Sequence, residues 1–98
     1  MTFRIKVYKQ GKEVLVAAAD PTLIGKTFKE GKLQITVSEK FYGTEEGDEG
    51  TLVSQLRLCT IANLVGIGVV DVAIRHGFVH PSNVLFIEDV PHAQIAAL

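Results

Sequence analysis

Apolar and polar residues alternate at the start of the chain, with Phe3, Ile5 and Val7 on one parity and Arg4, Lys6 and Tyr8 on the other. A period of two is that of a strand buried on one face. After the polar turn at residues 9–12, the run 14–19 is apolar on both parities and predicts a more deeply buried second strand, paired with the first as a hairpin. Asp20 followed by Pro21 is a helix start, since a carboxylate accepts from a free N–H and proline needs no partner at the first helical position. A single turn through Ile24 is expected, stopped by a left-handed Gly25. Residues 29–32 read as a further turn, leading to a third strand in which Leu33, Ile35 and Val37 alternate with Gln34, Thr36 and Ser38.

The second half is dominated by LCTIANLVGIGVVDVAIRHG at residues 58–77, the longest apolar stretch of the chain, which reads as buried helix. Ile67, Val70 and Ile74 recur at helical spacing, and Asp71 and Arg75 lie four apart as an exposed pair. Asn63, Asp71, Arg75 and the two glycines argue against a membrane span. Upstream, TEEGDEG at residues 44–50 predicts a mobile acidic loop ending at a helix N-terminus, with Thr51 as the cap. The helix from about Leu52 carries Leu52, Leu56 and Cys59 on one stripe, and Gly66 or Gly68 divides it from a second packed helix. Gly77 and Pro81 close that second helix. Residues 84–87 predict a short strand turned by Glu88 and Asp89, and the pattern leaves residues 94–98 open between a strand and a terminal helix. Together these elements predict one α/β domain over residues 1–98. It is a two-layer sandwich with a mostly antiparallel sheet of about four to five strands and two helices on one face.

Composition changes this picture little: 47% hydrophobic and 21% charged residues exclude wholesale disorder. The single cysteine cannot form an intramolecular disulfide, and Arg4 and Lys6 interrupt the apolar core a signal peptide would need, so a cytoplasmic protein is expected. Charge is uneven. Residues 1–40 carry eight lysines and arginines against four acids, net +4, and residues 41–98 carry two against seven, net -5.

Candidate chemistry is sparse. Gly25, Lys26 and Thr27 imitate the end of a phosphate-binding loop, but the motif needs a glycine where Asp20 stands, and an aspartate repels phosphate. His76 and His80 are separated by a helix end, so no metal site or cofactor is expected. Cys59 reads as core. Asn63, an amide in the most apolar stretch, needs hydrogen-bond partners and suits a helix-to-strand contact or a pocket wall. Phe41, Tyr42 and His92 lie in segments suited to a recognition patch. The least generic feature is the polar side of the first strand. If Phe3, Ile5 and Val7 face the helices, Arg4, Lys6 and Tyr8 share the outer face with Lys32, Gln34 and Thr36. Cations beside an aromatic ring suit single-stranded RNA, although a solvated sheet face shows the same alternation. The expected function is thus a non-catalytic module binding RNA or a ribonucleoprotein through Arg4, Lys6, Tyr8, Lys32, Phe41, Tyr42 and His92. The alternatives are a small enzyme with Asn63, His92, Tyr42 or Cys59 in one cleft, and a structural subunit of a complex.

LIGKTF at residues 23–28, SEKFYG at 38–43, TIANLVG at 60–66 and VPHAQ at 90–94 together resemble an archaeal family known as domain of unknown function four hundred and twenty-four. The resemblance spans nearly the whole chain. It implies a cytoplasmic archaeal protein with a link to translation, and it carries no activity. After TIANLVG, where family members often have charged residues, this chain has Ile67 and Gly68, which implies a more buried or more mobile junction.

Overall fold

The computed structural model describes residues 1–96. Strands β1 (Phe3–Gln10) and β2 (Glu13–Ala19) form the expected hairpin, and a 3-10 turn at Pro21–Leu23 follows. Next come a second hairpin, β3 (Thr27–Glu30) and β4 (Leu33–Thr36), a one-turn helix α1 (Glu39–Tyr42), and the two-residue strand β5 (Glu46–Gly47). Helix α2 (Glu49–Leu58), strand β6 (Ile61–Val65) and helix α3 (Ile67–Arg75) lead to a 3-10 turn at Pro81–Asn83 and a last hairpin, β7 (Leu85–Ile87) and β8 (Val90–Ala96). The main sheet runs β5-β1-β2-β6-β8-β7, antiparallel except where β2 and β6 lie parallel, while β3 and β4 form a separate two-stranded sheet.

Pairing register sorts side chains onto two faces. Ile5, Ala18, Leu64 and Ala93 form a row across four strands, and this row meets Leu52 and Leu56 of α2 and Val69, Val72 and Ala73 of α3. Leu64, with no exposed surface, sits mid-row, where truncation to alanine costs about 2–5 kcal/mol. On the opposite face Ala17, Ala19 and Val65 pack against Val37 and Tyr42. The alanines leave room for the β3–β4 hairpin and α1 to lie on that side.

The α/β class and the two helices on one face are as the sequence predicts, but the architecture is larger, with six strands in the main sheet and a hairpin on its far face. The chief correction falls on residues 58–66. The first helix ends at Leu58, Cys59 is extended, and Thr60 N–H donates to Val14 C=O at 2.8 Å, which starts β6 alongside β2. A central strand covered on both faces is apolar on both parities, so periodicity does not separate it from buried helix. Gly66, at φ 113, then turns the chain into α3. Asp48, not Thr51, caps α2: Thr51 N–H donates to Asp48 Oδ1 at 2.8 Å. Ile67 is 72% exposed, so the junction after TIANLVG is not more buried. Residues 94–96 belong to β8; residues 97 and 98 lie outside the described part.

Candidate functional site

The β3–β4 hairpin crosses the outer face as a strap fixed at both ends. At its root Gly25 N–H donates to Val37 C=O at 2.7 Å and Val37 N–H to Lys26 C=O at 2.9 Å. At its tip Lys29 N–H donates to Glu88 Oε2 at 2.7 Å, and Glu88 N–H donates to Glu30 Oε1 at 2.9 Å. Glu88 and Asp89 both have positive φ, 51° and 66°, and connect the paired residues Ile87 and Val90, which is the geometry of a two-residue primed turn. The Glu30 contact therefore falls on a turn of two non-glycine residues with positive φ.

Between this strap and the sheet lies a groove of about 480 Å³. Its floor is the outer face of β6 and β8, where Asn63 stands opposite Gln94 in register, and His92, two residues before Gln94, shares their side. Gln94 Nε2 donates to Asn63 Oδ1 at 2.9 Å. One amide hydrogen bond leaves the pair a free donor and a free acceptor, whichever way the two amides are assigned. One wall is Ser38, Phe41 and Tyr42 at α1, and the rim is Leu33, Ile35, Leu85 and Ile87. The Phe41 and Tyr42 rings meet edge to face at 4.9 Å.

The lining holds no aspartate, glutamate, lysine or arginine. Its two titratable groups are held neutral. Burial lowers the His92 pKa below its ordinary value, and burial raises that of Tyr42 to about 12. Arg4 Nε is the buried side-chain polar atom left without a partner among the described residues. Tyr42 lines the groove at 3% exposure, and its hydroxyl makes no hydrogen bond to the described residues. A partly apolar cleft with a donor, an acceptor, an imidazole and a phenol suits a flat, uncharged ligand.

The residues expected to form a basic sheet face are arranged otherwise. Arg4, Lys6 and Tyr8 do share the outer side of β1, but each is engaged with the α1 segment. Arg4 Nη1 donates to Gly43 C=O at 3.0 Å and lies 3.6 Å from Glu39, Lys6 Nζ donates to Lys40 C=O at 3.2 Å, and the Tyr8 hydroxyl donates to Phe41 C=O at 2.6 Å. The Tyr8 and Phe41 rings stack at 5.6 Å. Lys32 is exposed at the β3–β4 turn, on the separate sheet. By contrast Phe41, Tyr42, Asn63 and His92 line one groove. Cys59 does not: it packs against the helix side, where burial raises its pKa and its thiol donates to Leu56 C=O at 3.2 Å. Ser38 is a groove residue that sequence reasoning missed, and Gln94, within the segment 91–94 suited to a recognition patch, is not among the expected binding residues. The alternation His92, Gln94 was the available signal, and it needs residues 94–96 to be strand.

The fold and groove define a small α/β domain with a strapped, uncharged cleft on the outer face of its main sheet. Residues 8–98 match the model of the family described as protein of unknown function (DUF424), and the chain belongs to that family. It is similar to the crystal structure of an uncharacterized conserved protein from Methanopyrus kandleri, with a TM-score of 0.80 and 19% identity over 100% of this chain and 95% of that one, which shows a shared fold. No curated protein matches the chain. Three of the four segments that carry the family resemblance meet in the groove, through Ser38, Phe41 and Tyr42, through Asn63, and through His92 and Gln94. The fourth forms the root of the strap.

Proposed function

We propose that this protein is a non-catalytic RNA-binding module that takes one unstacked base of a single-stranded segment into the groove between the β3–β4 strap and the sheet. The observation that carries the reading is the Asn63–Gln94 amide pair, which shares an uncharged cleft with His92, Phe41 and Tyr42. Single-stranded bases are held by stacking on aromatic or imidazole rings and by hydrogen bonds to their edges, and a side-by-side donor and acceptor is what a base edge complements. Phosphates flanking the base would meet Lys32 and Lys40. Each is exposed, adjoins a groove residue in sequence, and has no carboxylate partner among the described residues. A ribonucleoprotein or translational setting rests on the family resemblance alone.

The test is a fluorescence-anisotropy titration of a labelled single-stranded RNA oligomer at several salt concentrations. His92→Ala and Gln94→Ala should each weaken binding by about 1–3 kcal/mol with the salt slope unchanged. Lys32→Gln should flatten that slope by about 0.7. Absence of saturable binding at low salt, or binding indifferent to all three changes, removes the reading. The same convergence of Asn63, His92 and Tyr42 favours a catalytic cleft as a second reading, with His92 as the base. That cleft has neither a carboxylate nor the Cys59 thiol to work with.

A further inference from the structure

The two-residue β5 closes the main sheet beside β1 and covers only half of the β1 edge. Phe3 and Arg4 pair with Gly47 and Glu46, and Ile5 N–H donates to Glu45 C=O at 3.1 Å; past Ile5 no strand among the described residues stands beside β1 on that side. Backbone groups point to alternate sides along a strand, so the outward direction of the Ile5 N–H fixes the same direction for Val7 and Lys9. Both residues offer an N–H and a C=O to solvent at the margin of a six-stranded sheet. Such an unpaired row is a template for another strand.

A groove of about 760 Å³ runs along this margin, with Ile5, Lys6 and Val7 at its base, Thr51 and Gln55 of α2 on one flank and Lys40 on the other. Its charge is divided. The β5 end is acidic: Glu39 and Glu46 face Arg4 at 3.6 and 4.0 Å, and Glu45 lines the groove beside them. At the open end, Lys6, Lys9 and Lys40 have no carboxylate partner among the described residues.

We infer that the open half of the β1 edge, at Val7 and Lys9, is a docking site for an extended, acidic segment of a partner protein, which joins the main sheet as a strand in line with β5. Strand addition takes its affinity from main-chain hydrogen bonds and its specificity from side-chain neighbours. Here those neighbours are lysines on both faces, Lys6 and Lys40 on the outer side and Lys9, on the parity of Val7, on the helix side, so a carboxylate on either face of the added strand meets a lysine. A second copy of this chain would bring the same lysines to the same edge. A nucleic acid would use the lysines and leave the backbone row unpaired. The site lies at the β1 margin, away from the base floor on β6 and β8; Lys40 is common to this site and the proposed RNA path, so Val7 and Lys9 carry the test.

The probe is a fluorescein-labelled heptapeptide of alternating glutamate and valine, with two comparison peptides: one N-methylated at alternate amides, the other with lysine in place of glutamate. Saturable binding of the first peptide is expected, together with slowed hydrogen exchange at the Val7 and Lys9 amides. N-methylation in the register facing β1 should weaken binding by about tenfold or more, through lost main-chain hydrogen bonds. The basic peptide should not bind. Val7→Pro removes an N–H that no internal bond uses, which an edge strand tolerates. With the fold intact by its unfolding midpoint, this variant should bind at least several-fold more weakly, as should Lys9→Glu. His92→Ala, in the other groove, should leave peptide binding unchanged. The inference is overturned by no saturable binding, by undiminished binding of the N-methylated peptide, or by Val7 and Lys9 protection that rises with protein concentration alone and so assigns the edge to a second copy.

Discussion

The carboxylate of Asp20, at the end of β2, caps α3. Its Oδ2 accepts from Gly68 N–H at 2.8 Å and its Oδ1 from Val69 N–H at 2.9 Å. Two residues far apart in sequence thus fix how the helix layer meets the sheet, and the glycines of the intervening turn are there to admit the carboxylate. A Cβ on Gly66 would sit 2.4 Å from Asp20 Cγ, and one on Gly68 would sit 2.9 Å from Asp20 Oδ1. The same contact explains why the Asp20–Pro21 start is followed by only one 3-10 turn, which the Asp20 side chain does not cap.

Asp20→Ala should therefore destabilise the protein by about 1–2 kcal/mol, the upper part of the range for losing a cap. Gly66→Ala should cost more, about 3 kcal/mol, because a positive φ and a steric clash act together. In urea denaturation the pair Gly68→Ala and Asp20→Ala should be less than additive, since the second change removes one of the atoms that the first would strike. Full additivity would mean that the helix N-terminus relaxes away from Asp20.

Tyr8 fastens α1 to β1 by a hydrogen bond and a stacked ring. Tyr8→Phe should keep the stack with Phe41 and lose the 2.6 Å bond to its carbonyl, at a cost of about 1 kcal/mol. Tyr8→Ala should cost substantially more, because α1 then loses its aromatic support. RNA affinity separates the roles. If Tyr8 is scaffold, Tyr8→Phe leaves affinity unchanged; if it stacks on a base from an open sheet face, Tyr8→Ala weakens binding without destabilising the fold.

Much of this arrangement was legible in the sequence because it is local. The first hairpin, the single turn after Asp20, the Asp71–Arg75 pair at 2.8 Å, the left-handed Gly77 and the Glu88–Asp89 turn all follow from period, capping and turn chemistry. What was not legible depends on tertiary partners. β6 reads as helix because both its faces are covered, and its partners in β2 are 46 residues away in the chain, as Leu15 is from Ile61. β3 does not read as a strand, and its second half falls in the turn expected at residues 29–32, because four residues with one half-buried side chain give almost no period. That omission placed Lys32 on the wrong sheet. The groove shows the same limit: Phe41, Tyr42, Asn63 and His92 were each singled out for their chemistry, but their meeting depends on the β6–β8 register and on the strap, which no local pattern encodes.

The strap itself depends on Glu30 and Glu88. Glu30→Ala leaves the Glu88 N–H without its acceptor, and Glu88→Ala does the same to Lys29 N–H. Both sites are exposed, so water substitutes and the global cost should stay near or below about 1 kcal/mol. The visible change should be local: hydrogen exchange at the Lys29 and Glu88 amides should accelerate, while amides of β2 and β6 keep their protection. Equal acceleration in β2 and β6 would show that the strap does not open as a separate unit.

Groove neutrality makes opposite demands at the two ends of the pH scale. Burial lowers the His92 pKa from its ordinary 6.5, so between the folded value and 6.5 the unfolded chain binds a proton that the folded chain lacks. The His92 contribution is therefore full above 6.5 and is lost as the pH falls through that window. Tyr42 runs the other way. With its pKa raised by burial from 10.0 to about 12, the folded chain holds a proton that the unfolded chain releases, so its contribution is full below 10.0 and is lost as the pH rises towards about 12. Thermal midpoints measured across pH should show both limbs. His92→Gln should remove only the acid-side slope between the folded His92 value and 6.5, and Tyr42→Phe only the alkaline one. A His92 imidazole that titrates at or above 6.5 by NMR, or a Tyr42 phenol that ionises near 10.0 in the native protein, would mean that the groove is open to water at its floor and is not the dry cleft that base recognition requires.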